Sequence, residues 1–225
     1  MSIVGRAFGP AAGLLPGASW RKVLLRLDIV PATNVDVYGY DRRLPHRDIV
    51  GARMFVTFRL HGSLPVNRVF PPAQLTHGEA FVALDRLLDH ARIGPLYLRQ
   101  AQIAEMVVRS LWDGESRFGR YKLHSFVVMA NHVHILVTPH VPSSVWLGAL
   151  KGSTGHEAVR MLNQRGKPFW QDESYDHLIR NDSEFGRVRR YIEWNPVKAG
   201  LVALPEEYPW SSATPGRSPA AGRKA

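Results

Sequence analysis

The sequence predicts an α+β fold of the ferredoxin-like, split βαβ kind: an antiparallel sheet with helices on one face and one added C-terminal helix. Three observations predict it. The segments run strand, helices, hairpin, helix, strand, helix, which is the split βαβ order with an extra helix at the end. The stretch from Met129 to Pro139 is rich in apolar and β-branched residues and reads as a buried strand. The stretch from Glu184 to Trp194 carries Phe185, Val188 and Ile192 at helical spacing.

Taken in order, Met1 to Gly17 is rich in Gly, Ala and Pro, without the charged start and long apolar run of a signal peptide. Trp20 to Val30 suits a short helix or a strand equally, and Asn34 to Val50 is polar and irregular. Residues 1–42 are therefore expected to form an irregular N-terminal extension, residues 43–213 the folded domain, and residues 214–225 a flexible basic tail. Met54 to Leu60 is the first strand, closed by Gly62 and Pro65. Glu79 to Ala91 places Phe81, Leu84, Leu88 and Ala91 on one helical face, and Gly94-Pro95 breaks it. Gln100 to Phe118 is a second helix, with Ile103, Val107 and Leu111 stacked four apart. Lys122 to Met129 is a strand, and the tight turn Ala130-Asn131 pairs it with the strand that ends at Thr138. Ser143 or Ser144 should cap a helix running to about Asn163. Ser174 to Arg180 is the last strand. Asn181, Asp182 or Ser183 should cap the final helix, and Pro196 should end it.

The 225 residues suit one or at most two domains with a substantial core, and the 45% hydrophobic content excludes a disordered chain. No apolar run approaches the ~20 residues of a membrane span, so no membrane partner is expected. Lys and Arg number 29 against 19 Asp and Glu, a net +10, which favours a polyanionic partner, above all nucleic acid. The absence of cysteine excludes disulfides and thiolate zinc sites and suggests a cytoplasmic protein.

Strand alternation puts His132 and His134 on one face, ~7 Å apart at Cα, close enough to reach one cation. His-x-His alone equally suits the wet face of an edge strand. Tyr191 and Asn195 lie four apart on the last helix, on the flank of its apolar stripe. A tyrosine there can be a nucleophile or an interfacial core residue. Arg187, Arg189 and Arg190 suit phosphate oxygens or a solvated helix face.

The pairing of Asn131-His132-Val133-His134 with Tyr191-Ile192-Glu193-Trp194-Asn195-Pro196-Val197-Lys198-Ala199-Gly200 resembles the single-tyrosine HUH transposases, in particular the REP-associated tyrosine transposases of bacteria. Phe55-Val56-Thr57-Phe58-Arg59, Phe169-Trp170-Gln171 and Pro209-Trp210-Ser211-Ser212 extend the resemblance over about Arg43 to Ala213. Ala130 stands where relatives commonly have Pro, and Asn195 is shorter than the Gln of better-known members. The resemblance implies that His132, His134 and Asn195 hold a divalent metal, Mg²⁺ or Mn²⁺. It implies that Tyr191 attacks single-stranded or hairpin DNA and forms a 5′-phosphotyrosine, making the protein a metal-dependent strand transferase. Neutral imidazole and amide ligands suit Mn²⁺ better than Mg²⁺, which prefers oxygen. Candidate DNA contacts are Arg59, Lys151, Arg180, Arg187, Arg190 and Lys198, with Trp170 stacking on unpaired bases or packing in the core. Monomer and homodimer both remain open.

Tyr175, which shares a strand face with His177, is the competing nucleophile, and His177 a competing metal ligand. Two other classes compete as well. One is a catalytically silent DNA-hairpin binder; the other is an RNA-binding ferredoxin-like module, which would present aromatics where this sheet presents histidines.

Overall fold

The computed structural model describes residues 49–64, 85–89 and 94–217. The readings for residues 1–48, for Pro65, for most of the Glu79 to Ala91 helix and for the end of the tail lie outside them. Four strands are present among the described residues: β1 (Met54–Leu60), β2 (Tyr121–Val128), β3 (His132–Pro139) and β4 (Trp170–Leu178). They form one antiparallel sheet in the order β2-β3-β1-β4. Three long helices accompany them: α1 (Ala101–Ser116), α2 (Ser143–Met161) and α3 (Asp182–Lys198). None is long and apolar enough to cross a membrane. This is the expected antiparallel α+β sheet, with α1 carrying the chain toward β2 and α2 carrying it toward β4.

The alternation of each strand sorts its residues between two cores. Val56, Phe58, Phe126, Val133, Ile135 and Val137 face α1 and α2, where Ile103, Val107, Leu111, Trp146 and Leu150 meet them. Phe55, Val127 and Leu136 face the other way and are covered by Val188 and Ile192 of α3. The added helix thus closes over the histidine face, which is not the wet side of an edge strand. Pro209-Trp210-Ser211-Ser212 covers the outer edge of β2. Val128 N–H donates to the Trp210 carbonyl at 2.9 Å, and Ser212 N–H donates to the Phe126 carbonyl at 2.9 Å.

Several boundaries differ from expectation. β4 begins at Trp170, not Ser174, because Trp170 pairs with Leu60 across a register shift after Phe58. Trp170 is 6% exposed, its indole N–H donates to Thr154 Oγ1 at 2.9 Å, and its ring meets Phe58 edge-on at 4.9 Å. Trp170 therefore packs in the core opposite the histidines, the second of its two expected roles. Neither serine caps α2: Pro142 holds the N-cap position without a side-chain bond, and the Ser143 hydroxyl turns to Met54 Sδ. Asn181 does cap α3, its side chain accepting from Glu184 N–H at 2.8 Å. Pro196 does not end α3. Its ring removes one ladder bond, but Ala199 N–H still reaches the Asn195 carbonyl at 3.0 Å and the helix runs to Lys198.

Gly114 of α1 shows how closely this core fits. A Cβ there would collide with the Tyr121 hydroxyl, which donates to the Leu111 carbonyl at 2.9 Å from a fully buried position. Gly114→Ala should lower stability by about 3 kcal/mol despite its better helix propensity, because the buried phenol has nowhere to retreat. Chemical denaturation would show this as a lower midpoint at unchanged slope.

Candidate active site

His132 and His134 face α3 from the start of β3, opposite Arg59 and Thr57 of β1. They are 1% and 0% exposed, and their Nε2 atoms lie 3.1 Å apart. Each ring is held at Nδ1, His132 by Asn131 Oδ1 and His134 by Thr57 Oγ1, both at 2.7 Å. The tautomer of His132 follows from its neighbours. Asn131 Nδ2 donates at 3.1 Å to the Leu88 carbonyl, which can only accept, so the amide oxygen faces His132. His132 Nδ1 therefore carries the proton and Nε2 presents a bare lone pair. Burial, and then the neighbouring His134, lower its pKa to about 3 against the pull of Asp85, so the ring is neutral at pH 7. Neutral imidazole held from behind is the form that ligates metals.

Asp85, in the helical stretch 85–89, enters the same space and is buried. Its Oδ1 lies 2.9 Å from His134 Nε2 and 3.7 Å from His132 Nε2. The ligand atoms of Asp85, His132 and His134 all fall within 4.8 Å of one another, the spacing a single ion could bridge. Asp85 Oδ2 accepts a hydrogen bond from the Tyr191 hydroxyl. Asn195 Nδ2 approaches His134 Nε2 at 3.3 Å and Asp85 Oδ2 at 3.5 Å. Asp89, one turn beyond Asp85, places Oδ1 3.9 Å from His132 Nε2. The buried Oδ1 atoms of Asn195 and Asp89 have no hydrogen-bond partner among the described residues. A buried acceptor left alone costs ~1–3 kcal/mol, so several around two imidazoles form a donor set that a divalent cation would satisfy. These residues fit the implied metal.

The electrostatics separate the two carboxylates. Burial pushes Asp85 up, but His134, His132 and Lys198 outweigh it and hold the group well below the usual carboxylate range. Burial and the Asp85 charge push Asp89 up to about 8. Tyr191 is pushed well up by burial and then by Asp85 and Asp89, so it rests as a phenol. Lys198 Nζ sits 3.6 Å from the centre of the Tyr191 ring and sets a positive charge against that phenol.

The helical spacing of Tyr191 and Asn195 does bring both to the histidines, as their four-residue interval requires. Among the candidate DNA contacts, Arg59 and Lys198 lie at the site, and Arg187 lies one turn before Tyr191 with Nη1 donating to Ser183 Oγ at 2.8 Å. Arg180 is exposed just before α3, and Arg190 is exposed on α3 next to Tyr191. Lys151 lies on α2, across the sheet, where its ammonium donates to the carbonyls of Gln171 and Asp172 at 2.6 and 2.8 Å. Tyr175 shares the histidine face and packs edge-on against Phe55 at 6.3 Å. His177 bonds to Glu184 Oε1 at 2.9 Å and does not enter the metal-capable group. Asp85 was missed. Its only signal was an acidic pair, Asp85 and Asp89, beside the Leu84 and Leu88 stripe, which reads equally as a solvated helix face.

A buried His-x-His strand facing a tyrosine on a covering helix gathers two imidazoles, a carboxylate and a phenol in one compact site. Residues 100–195 match the family model of the IS200-like transposases, a span that holds His132, His134, Tyr191 and Asn195. A candidate REP-associated tyrosine transposase of Haemophilus influenzae is 40% identical over 48 residues, 21% of this chain and 27% of that protein. The match thus spans about a quarter of that relative's length. The chain is also similar to a solved structure of a REP-associated tyrosine transposase bound to a REP hairpin, at 19% identity and a TM-score of 0.48 over 78% of this chain and 82% of that one. The resemblance carried by the motifs is therefore matched by the IS200-like family model and by the Haemophilus relative.

Proposed function

We propose that this protein is a DNA strand transferase of the transposase kind, metal-dependent, that nicks single-stranded or hairpin DNA through a 5′-phosphotyrosine. The supporting observation is the convergence of the Tyr191 hydroxyl, two imidazole nitrogens, a carboxylate and an amide in one enclosed site. In this reading Tyr191 Oη bonds to the phosphorus and the bond to the 3′-oxygen breaks. The phenol loses one proton and the released 3′-hydroxyl gains one. A later attack by a 3′-hydroxyl on the phosphotyrosine rejoins a strand and restores the phenol. A divalent ion at His132, His134 and their oxygen neighbours would draw charge from the phosphate oxygens and orient them. The His132 and His134 rings are held for that task by Asn131 and Thr57, while Phe55 packs edge-on against Tyr191 at 6.1 Å and fixes the ring. Arg59, Arg187, Arg190 and Lys198 supply positive charge along the strand's path.

The test is incubation with Mn²⁺ or Mg²⁺ and single-stranded or hairpin oligonucleotides derived from repeats flanking the gene. A covalent protein–DNA species with a free 3′-hydroxyl on the released strand supports the reading. Tight hairpin binding without any adduct would instead make the protein a catalytically silent hairpin binder. Binding itself should be strongly salt-dependent, given the net +10. Affinity should fall by about a thousandfold between about 50 and about 200 mM salt if six or so phosphates are contacted. A flat salt profile, or preference for plain duplex, contradicts it.

A further inference from the structure

The geometry points to Asp85 as the residue that ties the nucleophile to the cation site: one carboxylate oxygen serves as the ion's third ligand, and the other holds the Tyr191 hydroxyl. This rests on the proposed function for the role of Tyr191, and not for the metal. Oδ1 faces both imidazoles, while Oδ2 faces α3, so the two oxygens are divided between the two halves of the site. Asp85 brings a charged oxygen that already faces both imidazoles, whereas Asn195 turns its Nδ2 to His134 and offers only a neutral amide oxygen as a further, weaker donor. A carboxylate beside two imidazoles also broadens the choice of ion, since oxygen donors suit Mg²⁺ and Mn²⁺ alike.

The docking of the Asp85 segment is specific. The Leu88 carbonyl, one turn on, accepts from Asn131 Nδ2, the same amide whose oxygen orients His132. Leu88 itself is buried. The 85–89 stretch is therefore keyed to the histidine strand by a bond that also sets the ligand tautomer. Asp85 acts as a positioning residue for Tyr191 and a ligand for the ion.

The experiment measures Mn²⁺ affinity by electron paramagnetic resonance, and adduct yield at saturating Mn²⁺, for wild type, Asp85→Asn, Asp85→Ala and Tyr191→Phe. Asp85→Asn removes the charge yet leaves an amide oxygen able to accept from the tyrosine. It should lower Mn²⁺ affinity about tenfold or more and, once saturated, lose several-fold less adduct rate than Asp85→Ala. Asp85→Ala should lose the same affinity and, at saturation, about a hundredfold in adduct rate as the tyrosine is released. Tyr191→Phe should bind Mn²⁺ as wild type does. If Asp85→Asn, folded by its thermal transition, binds Mn²⁺ like wild type while His134→Ala does not, Asp85 is no ligand. If saturated Asp85→Ala reacts at the wild-type rate, the tether is wrong. If wild type binds Mn²⁺ through Asp85 yet forms no adduct, the ligand role holds and the strand-transfer reading falls.

Discussion

Tyr191→Phe should abolish the covalent DNA adduct, a loss of about four orders of magnitude or more, while DNA affinity stays within about twofold. The substitution deletes one oxygen. The ring keeps its edge-on contacts with Phe55 at 6.1 Å and His134 at 5.7 Å, so the helix has no reason to shift. What is lost is the hydrogen bond into Asp85, worth ~1.5–3 kcal/mol of stability for a bond to a charged acceptor. A gel shift reads the binding and a denaturing gel reads the adduct. Tyr175→Phe is the matched control, because Tyr175 shares the sheet face but packs on Phe55 at 6.3 Å. Should Tyr175→Phe remove the adduct and Tyr191→Phe spare it, the nucleophile is misassigned.

The second large effect is expected at the histidines. His134→Ala should abolish cleavage and reduce Mn²⁺ affinity below detection, with His132→Ala close behind. His134 is the more connected of the two: Thr57, His132, Asp85 and Asn195 all lie within 3.3 Å of its ring nitrogens. Its removal leaves the buried Asp85 Oδ1 facing a cavity, so about 3 kcal/mol of stability should go with it. His132→Ala strands Asn131 Oδ1 instead, a neutral acceptor with a smaller penalty. Calorimetric titration of Mn²⁺ alongside thermal unfolding separates the two losses, because a metal site destroyed by unfolding would show no folded transition at all.

Much of this arrangement was legible in the sequence because it rests on local periodicity. His132 and His134 share a face by the strand period of two, and Tyr191 and Asn195 share one by the helical spacing of four. Those intervals fix relative direction without any knowledge of the tertiary structure. Asp85 was illegible for the opposite reason. It reaches the site from 47 positions before His132, the difference of the two residue numbers, on an element whose charge pattern looks like an ordinary solvated face. Only its docking through Leu88 and Asn131 turns that face inward. Trp170 stayed open between two roles for want of register: an aromatic in a strand can point to either side, and the shift between Phe58 and Leu60 decided which. Pro196 misled because one missing ladder bond in the last turn is tolerated when the following N–H groups still find their carbonyls. The extent of α3 matters to function, since a helix broken at Pro196 would not carry Lys198 back over the Tyr191 ring.

The proposed strand transfer requires that Tyr191 become covalently linked to DNA. Its most direct test is mass spectrometry of the protease-digested adduct formed with Mn²⁺ and a single-stranded or hairpin oligonucleotide from the flanking repeats. The expected product carries a nucleotide attached through its 5′-phosphate to Tyr191, in the peptide that also contains Asn195, and the released strand ends in a 3′-hydroxyl. Attachment at Tyr175, or cleavage that leaves the wild-type protein unmodified, would contradict it.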